Sequence, residues 1–305
     1  MYRSILVPLD GSVVSEHALP LALSIAERAD AALQVVHVHQ PLAPLVSGVE
    51  AVPDWSLDGA VREQERAYLD NTVRKLAKVT LLPVKPVFLD GPPAQAIQEH
   101  AANSGTDLVV MTTHGRGPFT RFWLGSVADQ LVRRLPIPIL LLRSPEGAPN
   151  LESRPVLEHI LIPLDGSELA EKIILPATEL GALMSADYTL LSVVEPVLFA
   201  EPPLGGTAVG GLDPAVFDQL RAGAQTYLSQ MAEKLKVRSL TVKTQVVCNQ
   251  PAAMAILDRA ENGIDLIALE THGRGGLARL LLGSVADKVV RGAGVAVLVH
   301  RPAGK

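Results

Sequence analysis

Short apolar runs alternate along this chain with longer stretches of mixed apolar and polar residues, and that alternation predicts strands interleaved with helices. In the first half, strands fit near Ser4–Leu9, Leu33–Val38, Val84–Leu89, Leu108–Thr112 and Ile137–Leu142. Helices fit near Glu16–Ala29, Asp58–Val79, Ala94–Ala102 and Val127–Arg134. Strands that alternate with helices in this way predict an α/β fold, a parallel sheet with helices on both faces.

The second half repeats the first. Thr113 to Arg133 and Thr271 to Arg291 share 14 of 21 positions, and ILVPLDGS (5–12) returns as ILIPLDGS (160–167). The offset is 155 residues at Asp10/Asp165 and 158 at Pro93/Pro251, which puts three extra residues most simply in the loop after the second strand. That loop, 195–213, and its counterpart 40–57 are long and carry Pro and Gly, as functional covers and mobile connections both do. A polar, Pro- and Gly-bearing linker at 144–155 divides the chain near Asn150, giving domains 1–149 and 150–305.

Composition narrows the class of function. With 48% apolar, 19% charged and 4% aromatic residues, each half can bury a core of aliphatic side chains. A net charge of −5 and the absence of a Lys/Arg run argue against a nucleic-acid partner, so an anionic ligand would have to be held by local dipoles. The single cysteine, Cys248, excludes an intrachain disulfide and fits a reducing compartment. No secretion-type leader and no membrane-length apolar stretch is recognisable, so the expectation is a cytoplasmic protein with no membrane partner.

The candidate chemistry lies where strands run into glycine turns. Strand 1 ends in Pro8-Leu9-Asp10-Gly11-Ser12 and strand 4 runs into Thr113-His114-Gly115-Arg116-Gly117; Asp165-Gly166-Ser167 and Thr271-His272-Gly273-Arg274-Gly275 repeat the pair. If strands 1 and 4 are neighbours, both loops share the crevice where doubly wound sheets bind ligands. Ser126 is placed to N-cap the following helix with Asp129 three residues on, and Ser284 with Asp287 repeats this approximate capping box. A helix start with free N–H groups attracts anions, and glycines let a phosphate chain approach the backbone. The expected anion is a polyphosphate. Asp10 and Asp165 would repel it directly, which leaves a ribose hydroxyl or a bound Mg²⁺ as their partner, or an Asx-turn or cap role within the turn itself.

Gly115, nine residues, then Gly125-Ser126 resemble the ATP-binding loop of the universal stress protein family, which reads Gly, two residues, Gly, nine residues, Gly, then Ser or Thr. The opening ILVPLDGS and the Gly91-Pro92-Pro93-Ala94 turn also resemble that family, and the likeness covers nearly the whole chain in two copies. The resemblance implies two tandem Rossmann-like domains, each an open five-stranded parallel sheet of order 3-2-1-4-5. It implies bound ATP, AMP or ADP, with or without Mg²⁺. Asp10 would then lie near the ribose, the backbone of Val38 beside the adenine, and Gly115, Gly125, Ser126 and Val127 at the phosphates, with Pro8, Met111, Thr112 and Arg116 also among the nucleotide-binding residues. In the second copy the matching residues are Pro163, Asp165, Val193, Leu269, Glu270, Gly273, Arg274, Gly283, Ser284 and Val285. The resemblance also implies association through the last strands, with a homodimer of the tandem unit as partner, and a role in stress tolerance.

Both copies depart from the family pattern at its first glycine, as Thr112 and as Glu270. A carboxylate brought toward phosphates should weaken binding unless a metal ion intervenes, so the first domain is expected to bind ATP and the second weakly or only with Mg²⁺. His114 and His272 each stand in a glycine turn without an evident Cys or carboxylate partner, which favours a structural role. His37 and His39 share a strand face, but the second copy has Ser192 and Val194 there, so a metal pair is disfavoured. Arg121 and Arg279, like Arg116 and Arg274, fit either phosphate contact or solvent. A regulatory nucleotide-binding module leads. A slow ATP hydrolase or adenylyl or phosphoryl transferase competes, although GxxxxGK[ST], HxGH and SGGxDS loops are all missing. An interaction module with an empty crevice is the third reading.

Overall fold

The computed structural model describes residues 2–41, 55–113, 124–145, 147–195, 214–271 and 282–302. The chain divides into two compact units, Met1–Val156 and Leu157–Gly304, each containing five of the strands.

In the first unit β1 (Ser4–Leu9) pairs in parallel with β2 (Ala32–His39) on one side and β4 (Leu108–Thr112) on the other. β2 continues to β3 (Val84–Asp90) and β4 to β5 (Ile139–Leu142), both parallel, so the order is 3-2-1-4-5. The second unit repeats this with β6 (His159–Pro163) at the centre, flanked by β7 (Asp187–Val194) and β9 (Leu266–Glu270), with β8 (Val242–Cys248) and β10 (Ala296–His300) outermost. The strands start 155 residues apart at β2 and β7 and 158 apart at β3 and β8, so the extra residues do fall in that connection. Ile5, Leu6 and Val7, like Ile160, Leu161 and Ile162, are wholly buried, because helices cover both faces of the central strands.

The helices of the first unit are α1 (Val13–Glu16), α2 (Ala18–Ala29), α3 (Trp55–Leu76), α4 (Pro93–Ser104) and α5 (Ser126–Arg134). Those of the second are α6 (Glu168–Glu171), α7 (Ile174–Met184), α8 (Pro214–Lys236), α9 (Ala252–Ala260) and α10 (Ser284–Gly292). Right-handed crossovers put α2 and α3 on one face and α4 and α5 on the other, since the chain reverses direction across the sheet after β3.

The first helix differs from expectation by starting earlier and in two pieces, α1 and α2. Ser12 Oγ accepts from Ser15 N at 3.2 Å and starts α1, and His17 is the joint. Pro20 explains the break. It has no N–H for the Glu16 carbonyl, so the helix restarts with Pro20 in the first turn of α2, where no donor is needed. Pro176 does the same for α7.

Two acidic residues tie the edge of the sheet remote from the crevice. Asp107 accepts from Arg3 N and Ser4 N at 2.8 and 3.1 Å, and Asp265 accepts from Glu158 N and His159 N, each at 2.9 Å. The segment after β5 lies on the first unit. Arg154 pairs with Glu27 and donates to the Leu151, Ser153 and Val79 carbonyls, and Ser24 Oγ donates to Pro155 O at 2.7 Å. The Arg154 guanidinium holds the Glu27 carboxyl below the usual carboxylate range.

Candidate functional site

The chain leaves β1 toward β2 and leaves β4 toward β5, so the carboxyl ends of these two neighbours open a crevice at the reversal of strand order. β6 and β9 open the same crevice in the second unit. On one wall stands the Asp-Gly-Ser turn. Asp10 Oδ1 accepts from Ser12 N at 2.9 Å and Ser12 Oγ at 2.6 Å, and Gly11 takes φ +84°, a conformation that favours glycine. Asp165 Oδ1 accepts from Ser167 N and Oγ at the same distances, with Gly166 at φ +81°. Both aspartates therefore do form the Asx-turn weighed against a ligand role, with one oxygen of each carboxylate. Pro8 and Pro163 just before them are half-buried.

The other wall is the end of β4 and the start of α5. Met111 and Thr112 are buried, Thr113 N donates to Leu142 O at 2.8 Å, and Gly125 N donates to Thr113 O at 2.7 Å. That last bond delivers the start of α5 to the strand end, although residues 114–123 lie outside the described chain. In the second unit Thr271 N donates to His300 O at 3.0 Å and Gly283 N to Thr271 O at 2.7 Å.

The expected capping box is not formed. Gly125, at φ −56° and ψ 149°, is the N-cap; Ser126 is already the first helical residue, and Asp129 N donates to Gly125 O. The tie to Thr113 fixes Gly125 as the last extended residue. Arg133, one turn on, takes the Asp129 carboxylate at 2.8 and 2.9 Å. Gly283, Ser284, Asp287 and Arg291 repeat this arrangement. The consequence is chemical. Among the described residues no side-chain cap is made at either helix start, and the exposed Ser126 and Ser284 hydroxyls have no hydrogen-bond partner there.

Val38 and Val193 sit one residue before the ends of β2 and β7, half-buried at the crevice side of the sheet, and Val127 and Val285 follow the two serines. Gly115, Arg116, Gly273 and Arg274, with His114, His272, Arg121, Arg279 and the loop residues 42–54 and 196–213, lie outside the described residues.

Glu270 departs from expectation. Its side chain is buried and engaged, with Oε1 2.6 Å from His300 Nδ1, its register partner on β10. Oε2 is buried without a hydrogen-bond partner. Burial pushes this carboxyl above its usual range, against the pull of His300 and Lys172. The corresponding pair in the first unit is Thr112 with Leu142, neither of which titrates. His39 proves to be a paired residue, whereas both ring nitrogens of His37 are buried without a hydrogen bond. His39 Nδ1 lies 2.7 Å from Glu65 and Nε2 3.4 Å from Asp58, both on α3, while His37 Nε2 is 3.5 Å from Glu65. Among the described residues no group of three or more His, Cys, Asp or Glu is arranged to hold a metal ion, and no helix is long and apolar enough to cross a membrane.

The family model described as "Universal stress protein family" matches residues 1–143 and again 157–301. This chain belongs to the universal stress protein family. A universal stress protein of Mycobacterium tuberculosis is 28% identical over 308 residues, covering 98% of this chain and 97% of its own length. One from Methanocaldococcus jannaschii is 32% identical over 146 residues, 48% of this chain and 85% of that protein. Among solved structures, a putative universal stress protein from Pseudomonas aeruginosa covers 99% of this chain and 94% of its own with a TM-score of 0.67 and 18% identity, a likeness of fold.

In this universal stress protein, sequence reasoning missed His300, Asp107 and Asp265. Asp107 and Asp265 carried a usable signal, since both stand just before an apolar strand in the two copies. His300 carried none, because the repeat has Leu142 in that register and only strand pairing reveals that residue 300 meets residue 270.

Proposed function

We propose that each half binds an adenine nucleotide across its crevice, with the phosphates over the first turn of α5 or α10 and the ribose toward Asp10 or Asp165. The observation that carries this reading is the uncapped helix start, held by the Gly125–Thr113 bond at the point where strand order reverses and repeated at Gly283–Thr271. Family membership supports it, as does the placement of Gly125-Ser126 and Gly283-Ser284 at those starts. Gly115 and Gly273 would let the phosphate chain approach the backbone, and Arg116 and Arg274 would contribute charge. Val38 and Val193 would border the adenine. A module of this kind acts by binding nucleotide differently in two states, and a stress-tolerance role follows that pattern. Dimerisation of the tandem unit and a cytoplasmic location belong to the same proposal.

The test is Ser126→Glu and Ser284→Glu. Each side chain is exposed and a carboxylate in a first helical turn favours the helix, so folding is preserved while phosphate is repelled. The wild type should release intact ATP on denaturation, read by mass spectrometry, and the double variant should release none with its circular dichroism unchanged. Equal nucleotide content in both proteins would refute the site. Mainly ADP or AMP would point to turnover.

A further inference from the structure

We propose that nucleotide binding in the second half requires a proton shared by Glu270 and His300, so that occupancy of the second half depends on pH while that of the first does not. This rests on the nucleotide reading above and adds its regulation.

The pair stands at the carboxyl ends of β9 and β10, where the chain leaves the strands toward the crevice. Glu270 ends β9, and the next residue, Thr271, receives Gly283 N at 2.7 Å, so the carboxyl is one residue from the carbonyl that positions the start of α10. His300 Nδ1 meets Oε1 at 2.6 Å, and the His300 backbone carbonyl accepts from Thr271 N at 3.0 Å. The Glu270 side chain is only 1% exposed and that of His300 17%.

Charge counting gives the consequence. With its shared proton the pair is neutral overall, whether drawn as carboxylic acid with imidazole or as carboxylate with imidazolium. Without it, a buried carboxylate faces a neutral ring, and its Oε2 has no hydrogen-bond partner to stabilise the charge. That buried anion opposes a polyphosphate bound at the start of α10, and low dielectric screens it less than water would. The raised Glu270 carboxyl agrees with this direction, since burial favours the protonated form. Among the described residues the charged neighbours do not supply the missing compensation in full. Lys172, at the end of α6, attracts the carboxylate more weakly than His300 does. Asp287 of α10 is taken by Arg291, Glu171 of α6 accepts from Tyr227, and Asp165 stands in the turn after the neighbouring strand β6 as a further carboxylate. In the first half Thr112 and Leu142 occupy the same register and add no titrating charge.

The experiment is calorimetric titration of the full chain with ATP in metal-free buffer between pH 5.5 and 8.5. Ser126→Glu isolates the second half and Ser284→Glu the first, which reports the titration of ATP itself. Second-half affinity should fall by up to about tenfold per pH unit above the pair's midpoint, relative to the first half. Replacing Glu270→Thr and His300→Leu together installs the first half's residues and should abolish the difference. His300→Gln, which keeps a donor but removes the ring's charge from beside the Glu270 carboxylate, should move the fall in affinity to higher pH. Identical pH profiles in the two halves, or a slope that survives the Thr/Leu replacement, overturn the proton requirement. Absence of binding to both halves at every pH overturns the nucleotide reading and the proposal with it.

Discussion

Gly181, in α7, faces the ring of Tyr188 on β7 so closely that a methyl group there would lie 2.1 Å from the phenol oxygen, 2.7 Å from Cζ and 2.9 Å from Ile160 Cδ1. Tyr188 is wholly buried, its hydroxyl donating to Thr178 O at 3.4 Å, and burial raises that hydroxyl's pKa to about 12. In Gly181→Ala the phenol oxygen must retreat by about 1.5 Å to reach ordinary contact. Such overpacking costs about 1–3 kcal/mol, and displacing the hydroxyl about 1 kcal/mol more, against about 1 kcal/mol regained from the helix preference of Ala. The net expectation is a loss of about 2 kcal/mol. The first half names the compensating change. Ala26 accepts the same helix-ending bonds as Gly181, and Leu33 pairs with Ile5 as Tyr188 pairs with Ile160. Gly181→Ala with Tyr188→Leu should therefore be more stable than Gly181→Ala alone. Urea unfolding followed by circular dichroism reads the loss as a shift of about 1 M in the second-domain midpoint. Both tryptophans, Trp55 and Trp123, belong to the first half, so their fluorescence gives an internal control that should not move. A Gly181→Ala protein as stable as the wild type, or a double variant worse than the single, would refute the packing argument.

Loss of an N-cap offers a second check: Ser12→Ala and Ser167→Ala each remove the acceptor for a first-turn N–H and should cost about 1 kcal/mol in their own half, measured by the same unfolding curves. Removing Arg154 should speed proteolysis within 144–156, because the two ties that seat this segment, to Glu27 and to the Val79 carbonyl, are lost together with its internal bonds to Leu151 and Ser153; unchanged cleavage rates would contradict that role. The same ion pair has a defined pH sign. Glu27 is held below its unfolded carboxyl range, so its contribution is present above that range and lost as pH falls through the folded value, and Arg154→Ala should flatten that acid limb of first-domain stability, read by tryptophan fluorescence.

The sequence by itself determined the two-fold repeat, the parallel α/β architecture and the walls of the crevice. These are legible because period and turn chemistry are local: apolar runs mark β1 and β4, and Asp-Gly-Ser names a turn whose glycine does take positive φ. Doubling the chain made each reading an observation with its own replicate. Pro20 and Pro176 also carried the helix break, although the apolar pattern runs through them.

Only the tertiary structure decided which residue caps α5 and α10. Sequence spacing nominates Ser126, but the hydrogen bond from Gly125 to Thr113, set by where the strand ends, moves the boundary by one residue and leaves the serine exposed. It also decided what Glu270 does. Read along the chain, a carboxylate in a glycine position points to repulsion of phosphate. Strand pairing brings His300 to it from 30 residues away, and the partner is invisible in sequence because parallel register depends on how the intervening helix packs rather than on any local pattern.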